Sequence, residues 1–191
     1  MCLNENEKLF CQALAMTTLL GELSENKFLE SDFYNKLNFK GNRENFREIF
    51  EKSGIGNPAT MQICLYALLV MPMEVFKKDN TAQLKKIKNK INQSFAKKVN
   101  KVESTYKSDK NSSIIDFYNH VRNSVAHSNC KYEMINNKCY VEFSDVNTYD
   151  TNQKCVIFIE TGKVGEIIKE LCVYLMEYLN EQLEKCQTKG K

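Results

Sequence analysis

Tryptophan is absent from this sequence, proline occurs twice and glycine seven times. So few breakers exclude a chain rich in tight turns and leave room for long uninterrupted helices. Arginine is nearly missing: Arg43, Arg47 and Arg122 are the three, and lysine supplies almost all the positive charge. Histidine is scarcer still, with His120 and His127 alone. No stretch reaches the ~18 consecutive apolar residues that a membrane-spanning helix needs. The opening Met1-Cys2-Leu3-Asn4-Glu5 is not a basic segment leading into an apolar run. The expectation is a soluble, cytoplasmic protein with no membrane partner. No Cys-x-x-Cys pair occurs among the eight cysteines, at positions 2, 11, 64, 130, 139, 155, 172 and 186. A chain this size needs no disulfide staples, so reduced thiols are expected. The best remaining ligand set, His127 and Cys130 with Cys139 and Cys155, lacks regular spacing, and neither a metal nor another cofactor is expected.

What is present fits one globular domain over residues 1–191: hydrophobic residues make up 42% and charged residues 27%. Residues 4–22 place Leu9, Phe10, Ala13, Leu14, Met16, Thr17 and Leu20 at helical spacing, predicting an amphipathic helix that ends near Gly21. Shorter helices are expected over Asp32–Leu37 and Asn42–Lys52, the second stopped by Ser53-Gly54-Ile55-Gly56. Asn57-Pro58 reads as an N-cap followed by proline at the first helical position. The run it opens, Met61–Phe76, is apolar nearly all round, as in a helix at the centre of a bundle, and Pro72 should kink or end it.

Thr81–Tyr106 keeps Leu84, Ile87, Ile91, Phe95, Val99, Val102 and Tyr106 at steps of three and four, predicting one long helix. Between Lys77 and Lys110 there are 11 lysines against Asp79, Glu103 and Asp109, a net of +8, so the rest of the chain sums to −5. Lys85, Lys86, Lys88, Lys90, Lys97 and Lys98 are therefore candidate RNA-binding positions, although a solvated helix face accounts for the same composition. Asn111-Ser112-Ser113 offers a cap for a helix over Ile114–Ser128. The period then changes. Tyr132–Ile135 and Cys139–Phe143 about Asn136-Asn137 predict a hairpin, Cys155–Ile159 a third strand, and Asp145–Lys154 a polar, mobile loop between them. A last helix should run from Thr161-Gly162 to about Lys185. The expected fold is mainly α: a helical bundle with a small antiparallel hairpin or three-stranded sheet inserted before the last helix.

The scarce residue types converge on one segment, Asn119-His120-Val121-Arg122-Asn123-Ser124-Val125-Ala126-His127. At about 100° per residue, Asn119, Arg122, Asn123 and Ala126 share a helix face, whereas His127 lies ~140° from Arg122. Acting on one atom would need a distorted last turn or a second copy of the helix, and so implies a dimer. A guanidinium grips phosphate oxygens with a planar fork of donors, and an imidazole exchanges a proton near neutral pH. The pair suits RNA cleavage by attack of the ribose 2′-hydroxyl on the adjacent phosphodiester, without a metal. Otherwise Arg122 reads as a surface ion pair with Asp116 or Glu103, and His127 as a cation at a helix C-terminus.

The stretch Phe117–His127 resembles the signature of the HEPN superfamily, an Arg followed after four to six residues by a His, usually Arg-Asn-x-x-x-His. It is similar in particular to stand-alone, often plasmid-encoded members, in which a hairpin follows the motif helix and a long helix closes the chain. The resemblance implies a helical bundle that pairs into a homodimer with a composite RNA-cutting cleft. It also implies a metal-independent endoribonuclease of toxin, abortive-infection or other anti-phage defence systems, with an antitoxin or regulator as a further partner. The alternative it carries is a non-catalytic module that binds RNA, a nucleotide or a partner protein. Carried over, Arg122 would hold the scissile phosphate, His127 would act as general base or acid, and Asn123 would orient them. Asn119 and His120 match no invariant part of the motif and are candidate helpers, His120 more a bystander than a participant. HEPN toxins silenced by a partner nucleotidyltransferase carry a Tyr two residues after the His. Asn129 stands there in this chain, which puts that route of silencing in doubt.

Overall fold

The computed structural model describes residues 4–39, 44–72, 81–110 and 115–188, and in it helices pack around a four-stranded antiparallel sheet. Helix α1 (Glu5–Glu25) starts in a capping box, where the Asn4 side chain accepts the Glu7 N–H and the Glu7 carboxylate accepts the Asn4 N–H. It continues through Gly21 and buries Phe10, Leu14 and Thr17, while Leu9 and Met16 stay exposed, so the packed stripe is narrower than the apolar pattern. Helix α2 (Asp32–Lys36) and helix α3 (Glu44–Ser53) follow. Arg47 of α3 donates to the Leu37 carbonyl at 2.7 Å and lies over the rings of Tyr34 and Phe39, a structural use of a scarce residue. The expected starting residues Asn42 and Arg43 lie outside the described residues.

Helix α4 (Pro58–Leu65) is capped as expected by Asn57, whose side chain accepts the Thr60 N–H. It passes into a π-helical turn, Tyr66–Val70, in which the Met71 N–H reaches the Tyr66 carbonyl. Pro72 explains that turn. Proline has no N–H for the Leu68 carbonyl and its ring crowds that oxygen, and a wider turn relieves the crowding. Leu65, Leu68 and Leu69 are fully buried, which places this helix at the centre of the bundle. The end of the expected helix, residues 73–76, lies outside the described residues.

Helix α5 (Thr81–Lys98) stops eight residues short of Tyr106. Lys101–Ser104 forms strand β1 instead, paired antiparallel with strand β4 (Lys154–Glu160). From Lys101 to Tyr106 exposure alternates residue by residue, with Val102, Ser104 and Tyr106 turned inward. The same three positions that continue a helical spacing also satisfy a period of two, and pairing with β4 decides for the strand. The sheet therefore has a fourth strand.

After the short helix α6 (Lys107–Lys110) comes helix α7 (Phe117–Ala126), the motif helix. The expected cap at 111–113 and Ile114 lie outside the described residues, and Asp116 is the N-cap. Strand β2 (Cys130–Ile135) and strand β3 (Lys138–Val146) meet at Asn136-Asn137, with φ of 49° and 62°, the left-handed pair of a type I′ turn. Sheet order is β1-β4-β3-β2. β3 runs on past the expected end, so Asp145 is a buried strand residue rather than part of a loop. Val141, Phe143 and Asp145 of β3 alternate onto one face with Cys155, Ile157 and Ile159 of β4, and register pairs Asp145 with Cys155 and Cys155 with Ser104. That face meets α7 and the closing helix α8 (Thr161–Thr188), which buries Val164, Ile167, Leu171, Leu175, Tyr178 and Leu179. At about 1.5–3 kcal/mol for each fully buried large side chain, this stripe is a major part of what holds sheet and bundle together.

Candidate active site

Both ends of α7 are fixed. At its start the Asp116 carboxylate accepts the Asn119 N–H at 3.2 Å, and Asn92 of α5 accepts the Tyr118 N–H at 2.7 Å. At its end the Asn129 N–H returns to the Ser124 carbonyl and the Ser128 N–H to the Val125 carbonyl. With Ser128 at φ 56°, these bonds make a Schellman motif in which serine occupies the left-handed position usually held by glycine. His127 is the C-cap, at φ −103° and ψ 10°, outside helical geometry. Gln62 of α4 adds a bond to the Val125 carbonyl and takes the Tyr132 hydroxyl at 3.3 Å. The position of His127 is thereby set by the helix ending rather than by the helix.

Packing sorts the helix into two faces. Phe117, Tyr118, His120, Val121, Ser124 and Val125 are buried, while Asn119, Arg122, Asn123 and Ala126 form a partly exposed stripe beside an exposed His127. Tyr118 anchors the buried face by donating to the Leu69 carbonyl at 3.1 Å, in the π turn of α4. On the open stripe, Arg122 Nη1 donates to Asn123 Oδ1 at 3.0 Å. Asn119 donates to Asp116 at 2.5 Å and accepts from Lys88 Nζ at 3.3 Å. Burial and the nearby Arg122 charge hold the Lys88 ammonium below its ordinary pKa, against the pull of Asp116.

Among the other lysines singled out by sequence, Lys85, Lys86 and Lys97 are exposed. Lys90 reaches Glu177 at 3.4 Å over the Tyr174 ring, and Lys98 binds Glu170 at 2.6 Å, so these two are tied to α8.

His120 occupies the centre of a buried polar network. Its Nδ1 is 2.6 Å from Asp145 Oδ2 and its Nε2 is 3.0 Å from Asp109 Oδ2. Both partners are carboxylates, so a neutral ring would set a lone pair against one of them, whereas an imidazolium donates to both. Burial opposes that charge, but the Asp145 hydrogen bond and the two carboxylate charges outweigh it, and the His120 pKa stands above its ordinary value. Burial likewise works against ionised Asp145, and bonds from His120, Asn123 and Tyr106 more than offset it, leaving its pKa below the usual range. The Tyr106 hydroxyl donates to Asp145 at 3.1 Å and Asn123 Nδ2 donates to it at 3.3 Å. Asp109 in turn takes the Ser104 hydroxyl. Asp109, Asp145 and Tyr106 carried no sequence motif; the available signal was His120 itself, a polar residue on the buried face of α7 that needs a partner.

One group of ligand-type side chains gathers among the described residues: Asp109, His120 and Cys155, with their atoms within 4.8 Å of one another. It shares only Cys155 with the set weighed from sequence. As arranged it holds protons: both His120 nitrogens face carboxylates, and burial with the neighbouring acidic charges pushes the Cys155 thiol up to about 12. Two clefts of about 320 and 410 Å³ lie between α1, α4 and α8 and between α4 and the hairpin, and neither is lined by Arg122 or His127. No helix among the described residues is long and apolar enough to cross a membrane.

A family model described as HEPN pEK499 p136 matches residues 4–182. No curated protein and no solved structure matches the chain.

Proposed function

We propose, from the premise that this chain belongs to the HEPN family described as pEK499 p136, that it is a metal-independent endoribonuclease acting in the cytoplasm as a homodimer. The observation that carries the reading is the open stripe of α7, which bears Arg122, bonded to Asn123, and leads to an exposed His127 at the helix C-cap. In this scheme the Arg122 guanidinium clamps the scissile phosphate and stabilises charge at the crowded phosphorus. The His127 imidazole takes the proton of the ribose 2′-hydroxyl as its oxygen attacks phosphorus. The bond to the 5′-oxygen breaks, that oxygen leaves with a proton, and a 2′,3′-cyclic phosphate remains. A positioned general base or acid contributes about 10²–10⁴ in rate. Family membership favours a place in a toxin, abortive-infection or other anti-phage defence system, with an antitoxin or regulator as partner. The test is cleavage of RNA in EDTA: Arg122→Ala and His127→Ala should each abolish it with circular dichroism unchanged, and undiminished cutting by both variants sinks the scheme.

The second reading is a non-catalytic module that binds RNA. The exposed Lys85, Lys86 and Lys97 favour it. It expects binding that weakens steeply with salt and no strand scission at all.

A further inference from the structure

Behind Arg122 stands a set of buried polar groups that the cleavage scheme leaves unused. They join four elements: Asp109 from α6, Ser104 from β1, Asp145 from β3 and His120 from α7. We propose that His120, acting through Asp145 and Asn123, is the positioning residue that fixes the Arg122 guanidinium. The proposal rests on the reading of Arg122 as the phosphate clamp.

The argument is one of hydrogen-bond direction. Ionised Asp145 only accepts, and a guanidinium only donates. Asn123 lies between them, with Nδ2 at 3.3 Å from Asp145 Oδ2 and Oδ1 at 3.0 Å from Arg122 Nη1. Turned the other way, the amide would set oxygen against carboxylate and amino group against guanidinium. One orientation therefore satisfies both neighbours, and it presents an acceptor to Arg122. The orientation holds only while Asp145 stays in place and ionised. His120 secures both conditions, with its Nδ1–H at 2.6 Å from Asp145 and its far side bound to Asp109 at 3.0 Å. The Tyr106 hydroxyl adds a donor to the same Asp145 oxygen at 3.1 Å, and its ring sits 4.6 Å from the imidazole centroid. Among the described residues, Cys155, the register partner of Asp145, is a further titratable group near the ring, its thiol pushed up by burial and the neighbouring acids. The motif helix thus carries, besides His127, a buried histidine that acts through its neighbours on Arg122.

The sparse composition makes this measurable by NMR on the free protein, because three arginines and two histidines give few side-chain signals. Arg122→Lys and His120→Gln assign them. At neutral pH both His120 nitrogens should carry protons, and the Arg122 Nη1 protons should exchange slowly with water. Asp145→Asn and Asn123→Leu each break the relay at one link while nearly keeping side-chain size. Either should loosen the contact at Nη1, speeding proton exchange there. On RNA, each should lower kcat by about 10²-fold with a much smaller change in KM. Tyr106→Phe removes one donor and should give an intermediate exchange rate. Should Asp145→Asn fail to fold, Asn123→Leu and Tyr106→Phe decide in its place. An unchanged Arg122 signal in folded variants overturns the relay. A wild-type chain that cuts no RNA overturns the nuclease reading, while the guanidinium signal still decides the relay.

Discussion

At the scale of single residues, the polar core behind the open stripe is a buried imidazole bonded to two carboxylates. Removing one member leaves the others uncompensated, so Asp145→Ala should destabilise the protein by about 3–5 kcal/mol, read as a shift of the denaturant midpoint. The pH dependence follows from the two shifts. His120 has a raised folded-state pKa, so its contribution is fully present below the unfolded value and is lost as pH rises through the folded one. Asp145 has a depressed one, so its contribution is present above the unfolded carboxylate range and is lost as pH falls through the folded value. Stability should peak in the window between, and unfolding followed against pH should lose its alkaline decline in His120→Phe. Arg122 and His127 stand out in the sequence because arginine and histidine are rare in it, and their part in cleavage is the proposal that the RNA assay decides. Asp109 and Asp145 do not stand out, being ordinary acids 11 and 25 residues from His120, brought to it only when β1, β3 and α6 fold over α7.

At the scale of elements, legibility tracked whether the deciding information was local. Asn57-Pro58 and Asn136-Asn137 specify their cap and turn through residues a few positions away, and both stand where the sequence places them. β1 depends on pairing with β4, more than fifty residues on, which no window around Val102 contains. The π turn before Pro72 gives the expected kink a particular form, and Tyr118 takes the Leu69 carbonyl there. The ending of α7 bears most directly on function, because it sets His127. Serine at the left-handed C′ position is strained by roughly 1–2 kcal/mol, and glycine returns part of that as greater unfolded-chain entropy. Ser128→Gly should therefore stabilise the protein by about 0.5–1 kcal/mol and leave cleavage intact. Ser128→Val should destabilise it and, by displacing His127, lower cleavage, with thermal melts and an RNA assay as the checks.

At the scale of the molecule, the proposed nuclease turns on whether two chains act together. Among the described residues, the two clefts of about 320 and 410 Å³ are lined by neither Arg122 nor His127, and Arg122 lies on the partly exposed stripe of α7. The lysine-rich helix α5 is partly spent internally, through Lys90 and Lys98 on α8, and Lys88 of that helix reaches Asn119 in the stripe. Asn129, at the position where the silenced toxins carry tyrosine, has its backbone N–H and C=O committed to Ser124 and Ser144, and the nearby Tyr132 hydroxyl is bonded to Gln62. Subunit mixing separates a shared cleft from two independent ones. Arg122→Ala and His127→Ala chains, each inactive alone, are unfolded together and refolded. If arginine from one protomer works with histidine from its partner, the mixed dimer holds one intact pair, and cleavage returns in a mixture of two dead proteins. If both residues act within one chain, every protomer lacks one of them and the mixture stays silent, however tightly it dimerises.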